Sequence, residues 1–366
     1  MIQLDPGVDY RVADRRGEAF LAYYEAMLHT GELMQQFRLV DWIIDSETDD
    51  PEERVERKLW ASFLWGATYN LIGMWTIMRE FPTPPKYNDL AVWYNANFDR
   101  MRFDTDCRYR KSKMLACYAS YLAMFGRSQS EVMSQAVGCH EHRAFRQLWA
   151  MSSSVAYFGR LACWNHVEAV AYGMRSEPGW HDAVDAPDLM LQDISGSESN
   201  RNGVAWVCGL ESLATHHGKT EQGARLKQGE VGLLSNEAEQ LWHRSRDHLL
   251  LTVPNPPTMM NYETALCWAK KMMSRTRQSR YLGWDGDRTW EEIKYLEQHW
   301  PEVDVAPLWK ARDACVPRTL LCEHYPEGWH RGVDKDRMRS FYETGRLPEV
   351  MAWQQGVTCE REAWLP

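Results

Sequence analysis

Proline is absent from residues 86–177 and again from 188–253, although the chain of 366 residues contains 16 of them. Proline removes an amide donor and breaks helix interiors, so its punctuation marks where helices are free to run. Filling such gaps with strands would require turn residues at short intervals. Alternating β-branched runs bounded by Asn-Gly or Asp-Gly are almost missing, and WDGD at 284–287 and SNRNGV at 199–204 read as loops. The expectation is an all-α protein, a compact multi-helix body with an irregular C-terminal segment.

Hydrophobic spacing supports this expectation. Between Glu52 and Met78, Leu59, Phe63, Ala67, Leu71 and Trp75 recur every fourth residue, the stripe of a core-facing helix. From Gln147 to Met174, Leu148, Met151, Val155, Phe158 and Ala162 fall on one face. EFPTPPKYND (80–89) and TVPNPPTMMN (252–261) read as linkers or loops. Proline therefore divides the chain into an N-terminal helical segment (1–80), a helical core (86–300) and an irregular proline-rich segment (301–366) packed on it, as separate parts or as one domain. No internal repeat or low-complexity tract is present.

Composition removes several function classes. With 44% hydrophobic residues the chain can bury a full core. Its first 20 residues carry acids and arginines where a secretory leader needs an apolar run, so a cytoplasmic protein without a membrane partner is expected. Nine cysteines without a CxxC pair do not form a disulfide framework. A net charge of −9 argues against coating nucleic acid by bulk charge and leaves local basic faces as the route to a polyanion. The 18 Trp and 16 Tyr suit helix packing or stacking against bases.

Two motifs are set aside. Gly218-Lys219-Thr220 is not a phosphate loop, because position 213, where the first glycine belongs, is Leu. Cys139, His140, Glu141 and His142, with His216 and His217 further on, lack the three- or four-residue spacing of a metal pair, and no metal is expected there.

Two basic clusters carry more. RMRFDTDCRYRKSK (100–113) holds Arg100, Arg102, Arg108, Arg110, Lys111 and Lys113 interleaved with Phe103 and Tyr109. KKMMSRTRQSRY (270–281) holds Lys270, Lys271, Arg275, Arg277 and Arg280 with no acid. In an acidic chain such islands are where a polyanion would rest, or they are solvated helix faces balanced by acids elsewhere in space. The second cluster ends a helix for which Asn261 is the expected N-cap, with Glu263 in the first turn and Tyr262, Leu266, Ala269 and Met273 as the buried stripe. Glu263, Cys267 and Lys270 then share an adjacent face, offering a carboxylate, a thiol and a cation. Upstream, Arg160, Trp164 and Glu168 share a face, and an arginine in so apolar a run needs an anionic partner, structural or phosphate. The segment 188–206, with Asp188, Ser195, Ser199, Arg201 and Asn202, reads as a loop leading into a Trp-bearing helix.

FGR with a downstream Trp (158–164), DL…S…S-x-R-x-G (188–203) and YETALCWAKK followed by YLGWDGDR (262–288) resemble the α-glutamyl/putrescinyl thymine pyrophosphorylase group of bacteriophage DNA-hypermodification proteins, which includes the amino acid:DNA transferases. The resemblance spans roughly residues 90–345. It implies that pyrophosphorylated 5-hydroxymethyluracil in DNA loses pyrophosphate to the amine of an amino acid, glycine being the donor it suggests. Kinase relatives need a phosphate-loop domain, which this sequence lacks, and that favours the transferase branch.

Under this resemblance the residues acquire roles. The base is flipped out and stacked on Trp164, Tyr262 or Tyr281, while both basic clusters hold the backbone. Arg160, Arg201, Lys270 and Lys271 stabilise the departing pyrophosphate. Glu263, then Asp188, is the expected general base, because α-amino groups titrate near ~8 and are mostly protonated at neutral pH. Cys267 either packs or attacks C6 of the pyrimidine. Mg²⁺ would suit the pyrophosphate, though no ligand set in the sequence demands it. The other readings are a helical DNA glycosylase-like enzyme and a non-catalytic DNA-binding protein.

Overall fold

The computed structural model describes Ile2, Asp5, Trp180 and residues 7–30, 34–104, 107–126, 128–137, 141–178, 184–192, 197–253, 256–273 and 288–315. These form fourteen α-helices and one two-stranded hairpin. They divide into two compact units, each drawn from separate stretches of sequence. The first gathers described residues of 1–33 and 188–287, and the second those of 34–187 and 288–315.

The second unit is built around α3 (Pro51–Thr68) and α9 (Arg160–Met174), with α2 (Gln35–Glu47), α4 (Leu71–Glu80), α8 (Glu141–Ser153) and α14 (Ala306–Cys315) packed about them. A Cβ on Gly66 would lie 2.8 Å from the Cβ of His166 and 3.0 Å from Ala162 O, so only glycine permits this helix contact. The stripe Leu59, Phe63, Ala67, Leu71 and Trp75 is buried as expected. It does not lie on one helix. Tyr69 caps α3 in the left-handed conformation (φ 47°), and Asn70 opens α4 by accepting from the backbone N–H groups of Ile72 and Gly73. The uncharged run 59–78 is thereby split, and no helix among the described residues is long and apolar enough to cross a membrane. The run from 147 to 174 also breaks, at Ser154–Gly159, into α8 and α9. Tyr157 there adopts φ 64°.

In the first unit α10 (Glu198–Val207) and α12 (Met259–Met273) form the tightest pair, flanked by α1 (Arg16–Thr30) and α11 (Gln228–Thr252). A Cβ on Gly203 would stand 2.4 Å from Leu266 O, so the α10 backbone lies directly on α12. SNRNGV is therefore helix rather than loop. α12 starts earlier than expected. Thr258 Oγ1 accepts from Asn261 N at 3.2 Å while Asn261 Oδ1 accepts from Thr258 N at 3.0 Å, a reciprocal cap with Thr258, not Asn261, at the N-cap. Glu263 consequently lies beyond the first turn, where the helix dipole offers a carboxylate little.

Candidate active site

α10 buries three consecutive polar side chains, Asn200, Arg201 and Asn202, at 2%, 1% and 8% exposure. Polar groups removed from water need partners, and each of these has a different one. Asn200 Nδ2 donates to Glu263 Oε1 at 2.5 Å. Arg201 Nη1 donates to Ser197 Oγ and to Leu191 O at 3.4 Å. Asn202 brackets Thr215, donating to its carbonyl at 2.6 Å and accepting from its N–H at 2.8 Å. One helix thus fixes a carboxylate, the Leu191 carbonyl and a hairpin.

The α10–α12 seam brings together two of the expected reactive side chains, Glu263 and Cys267. Ser199 Oγ lies 2.8 Å from Cys267 Sγ, one turn along α12 from the Asn200–Glu263 pair. Glu263 and Cys267 are half-buried while Asn200 behind them is closed off, so the carboxylate is held from its buried side. Below them Leu266, Tyr262 and Ala269 are fully buried, which anchors the helix. Lys270 and Lys271 continue α12 by one turn, and their side chains lie outside the described residues. Sequence reasoning missed Asn200, because 199–204 read as a loop. The signal was present as a polar Ser-Asn-Arg-Asn run feeding directly into Gly-Val-Ala-Trp-Val.

Packing and local hydrogen bonds occupy several of the expected site residues. Tyr262 is fully buried, its hydroxyl donating to Ala238 O at 3.0 Å and its ring packed against Phe20, Tyr24 and Trp242, so it offers no face to a base. Burial also pushes its phenol well above the usual tyrosine range. Arg201 is turned inward to hold Leu191 and Ser197, which makes it a positioning residue rather than a pyrophosphate ligand. Asp188 is exposed, and its Oδ1 accepts from Met190 N at 2.5 Å in a local turn.

In the second unit Trp164 is 2% exposed, ringed by Phe145 and Trp149 and faced by the Arg160 guanidinium 4.9 Å from its centroid. Its faces are taken by protein, so it is not a stacking platform for a base. Arg160, in the first turn of α9, is half-buried. Arg110 is likewise removed from the DNA-binding set. It is 1% exposed, donates to Ala67 O at 2.8 Å and Gly66 O at 3.0 Å, and so satisfies carbonyls at the C-terminal end of α3.

The rest of that basic cluster divides by engagement. Arg100 pairs with Glu302 at 2.6 Å and lies over Trp300, and Arg102 donates to the Tyr295 hydroxyl at 2.8 Å. Lys111 Nζ reaches Asp99 O at 3.4 Å, and burial followed by the nearby Arg102 lowers its pKa. Arg108 and Lys113 remain exposed without an ion pair among the described residues. Arg275, Arg277, Arg280 and Tyr281 lie outside the described residues, as do Cys139 and His140. No group of three or more His, Cys, Asp or Glu side chains placed to hold a metal occurs among the described residues.

A family model for amino acid:DNA transferases matches residues 32–277, a span that contains α10, α12 and every residue of the seam described above. The chain is also 40% identical over 369 aligned residues to a serinyltransferase of Salmonella phage ViI, an alignment that takes in 98% of this chain and 87% of that relative.

Proposed function

The chain belongs to the amino acid:DNA transferase family and is an enzyme that transfers an amino acid to DNA, and from that premise we propose that its acceptor is 5-(pyrophosphoryloxymethyl)uracil in duplex DNA and its donor serine. Serine replaces the glycine first suggested, because the phage ViI relative is a serinyltransferase. That relative comes from a bacteriophage, and we place the reaction in the cytoplasm of an infected bacterium.

The reaction is a substitution at the exocyclic methylene carbon. A bond forms from the amino acid nucleophile to that carbon, the C–O bond to pyrophosphate breaks, and pyrophosphate leaves with the electron pair. The nucleophile's proton passes to a base. Glu263 is the base in this reading. The observation that carries it is the 2.5 Å hydrogen bond from buried Asn200, which aims a half-exposed carboxylate that has no helix-terminal reason for its position. Lys270 and Lys271, on the next turn of α12, are assigned to the pyrophosphate, where fixed cations would stabilise charge as the bond breaks. Cys267, held by Ser199, packs beside the base and is not assigned a covalent step. In the second unit we retain Arg160 as an anion ligand and Arg108 and Lys113 as contacts to DNA phosphates.

The test is incubation with duplex carrying pyrophosphorylated 5-hydroxymethyluracil and isotopically labelled serine or glycine, followed by nucleoside mass spectrometry. A serine adduct with one pyrophosphate released per adduct is expected. Preferential glycine incorporation contradicts the donor, and no adduct with either amino acid contradicts the acceptor. Attachment through the α-amine leaves no primary amine in the product. Attachment through the serine hydroxyl leaves one, which an amine-reactive label detects.

A further inference from the structure

The hairpin β1 (Thr215–His216) and β2 (Lys219–Thr220) is the only sheet among the described residues, and nothing in the transferase chemistry above uses it. His216 pairs with Lys219 across a two-residue turn whose central residues both adopt positive φ, 52° at His217 and 76° at Gly218. That is the geometry of a type I′ turn, for which Asn or Asp at the first position is the usual choice. A histidine there is tolerated but not required by the backbone.

The hairpin is fastened to the helix that builds the active-site seam. Glu198 accepts from His217 N at 3.2 Å and Gly218 N at 2.7 Å, and one turn later Asn202 holds both polar atoms of the Thr215 backbone. Ser199 and Asn200 lie between these two anchors on α10. At ~1.5 Å rise per residue, the hairpin is therefore fixed within roughly 10 Å of the seam.

What the hairpin and the following loop present is positive. His216, His217, Lys219, Arg225 and Lys227 are all exposed, and none of the three fixed cations forms an ion pair among the described residues. Two nearby acids are held by backbone amides. Glu198 is bound by the hairpin's own amides, and Glu230 accepts from Lys227 N at 2.6 Å at the start of α11. Glu221 is the remaining acid between 216 and 227. Residues 216–227 carry three fixed cations against one acid, a local excess in a chain of net charge −9, and Glu198 and Glu230 beside them face backbone amides.

We propose that the 216–227 hairpin and loop form a phosphate-backbone contact that seats the DNA beside the α10–α12 seam. Lys219, Arg225 and Lys227 supply the charge, and the imidazoles of His216 and His217 supply N–H donors to phosphate oxygens. The contact reads no sequence. Its role is to fix the register of the duplex so that the target nucleotide is delivered to Glu263. The inference rests on DNA being the substrate and deepens the reading of the seam, but its test does not depend on turnover.

The test is binding of a short fluorescein-labelled unmodified duplex, followed between about 50 and 200 mM salt. Each lost phosphate contact lowers the slope of log affinity against log salt by about 0.9, so the triple variant Lys219→Gln/Arg225→Gln/Lys227→Gln should bind at least about tenfold more weakly, with the slope reduced by about 2–3. Lys219→Arg/Lys227→Arg should keep wild-type affinity and slope. Should the triple variant lose its circular dichroism signature, the single exposed reversal Lys219→Glu reads the same slope, with a drop of about 1 expected. Unchanged affinity and slope in the folded charge-removed variants, or no duplex binding by the wild type, overturns the proposal. A flat result here beside a dead Glu263→Gln enzyme sinks the hairpin contact and leaves the seam standing. The reverse pattern sinks the seam and leaves the contact.

Discussion

Two helix pairs in this protein are brought together by a glycine, and they use the closeness in opposite ways. At α3–α9, Gly66 admits His166, and the polar groups around the pair are buried apart from the exposed Asp45. His166 is 1% exposed with Nδ1 2.9 Å from Ser152 Oγ, and Lys58, fully buried, meets Asp45 at 2.7 Å, Glu177 at 2.9 Å and Asp41 at 3.2 Å. At α10–α12, Gly203 admits Leu266, and the polar pair it brings together stays half open at Glu263 and Cys267. Buried polarity in the first pair therefore has structural consequences only. In the second, a buried donor holds a half-buried acceptor, an arrangement that fixes a reacting group in place.

The sharpest way to test the structural half is to break the Lys58 cluster. Lys58→Met removes the buried ammonium and leaves Asp41 to Arg175 at 3.0 Å and Glu177 to Arg54 at 2.9 Å, so it should cost about 2–4 kcal/mol in urea denaturation. Burial disfavours the Lys58 ammonium, but Asp41, Asp45 and Glu177 outweigh it and raise its pKa, so the amine is charged across the usable pH range. A loss below about 1 kcal/mol would mean that water reaches the cluster and that the two pairs differ less than their burial indicates.

Next come the glycines themselves. Gly203→Ala and Gly66→Ala should each destabilise by about 1–3 kcal/mol, since both force helix backbones apart. At equal stability loss, only Gly203→Ala is expected to lower kcat beyond the fraction unfolded, because it displaces Asn200 from Glu263. Equal effects of the two on kcat would remove the distinction.

A smaller effect is written into pH. Burial lowers the His166 pKa from 6.5 to about 3, so below the unfolded value the unfolded chain takes up a proton that the native imidazole refuses. Stability is complete above about 6.5 and falls as pH drops toward about 3. Compared with His166→Gln, the wild type should lose about 1 kcal/mol more between pH 6 and 5, read from denaturation midpoints at each pH. Parallel pH profiles for the two proteins would show that the imidazole is not sealed.

The smallest change is expected at Asp188→Asn. Asparagine makes the same side-chain turn to Met190 N, so kcat should stay within about twofold if the carboxylate serves only the loop. A fall of about a hundredfold would return Asp188 to the position of general base.

What could be read without coordinates was local. The four-residue stripe from Leu59 to Trp75 and Tyr262, Leu266 and Ala269 of α12 follow from periodicity, and all are buried. The breaks at Tyr69–Asn70 and Ser154–Gly159 escaped because apolar spacing continues across them, while the cap chemistry that stops the helices sits in one or two residues. Side-chain fate was not legible. Trp164, Tyr262 and Arg110 are the residue types that stack on bases or grip phosphates, and only tertiary packing shows that their faces and donors are occupied by protein. Glu263 and Cys267 were reachable from i, i+4 spacing on one helix. Asn200 and Ser199 were not paired with them, because the partner helix had been read as a loop and the contact joins residues more than sixty positions apart.

The central claim is that Asn200 aims Glu263 at a proton. Single-turnover transfer of labelled serine to pyrophosphorylated duplex by Glu263→Gln measures it most directly, with circular dichroism to show folding and unmodified-duplex affinity to show that DNA still binds. The account predicts a folded, DNA-binding enzyme slowed by about 10²–10⁴-fold, with Asn200→Ala slowed less. Wild-type transfer rates from folded Glu263→Gln would contradict it.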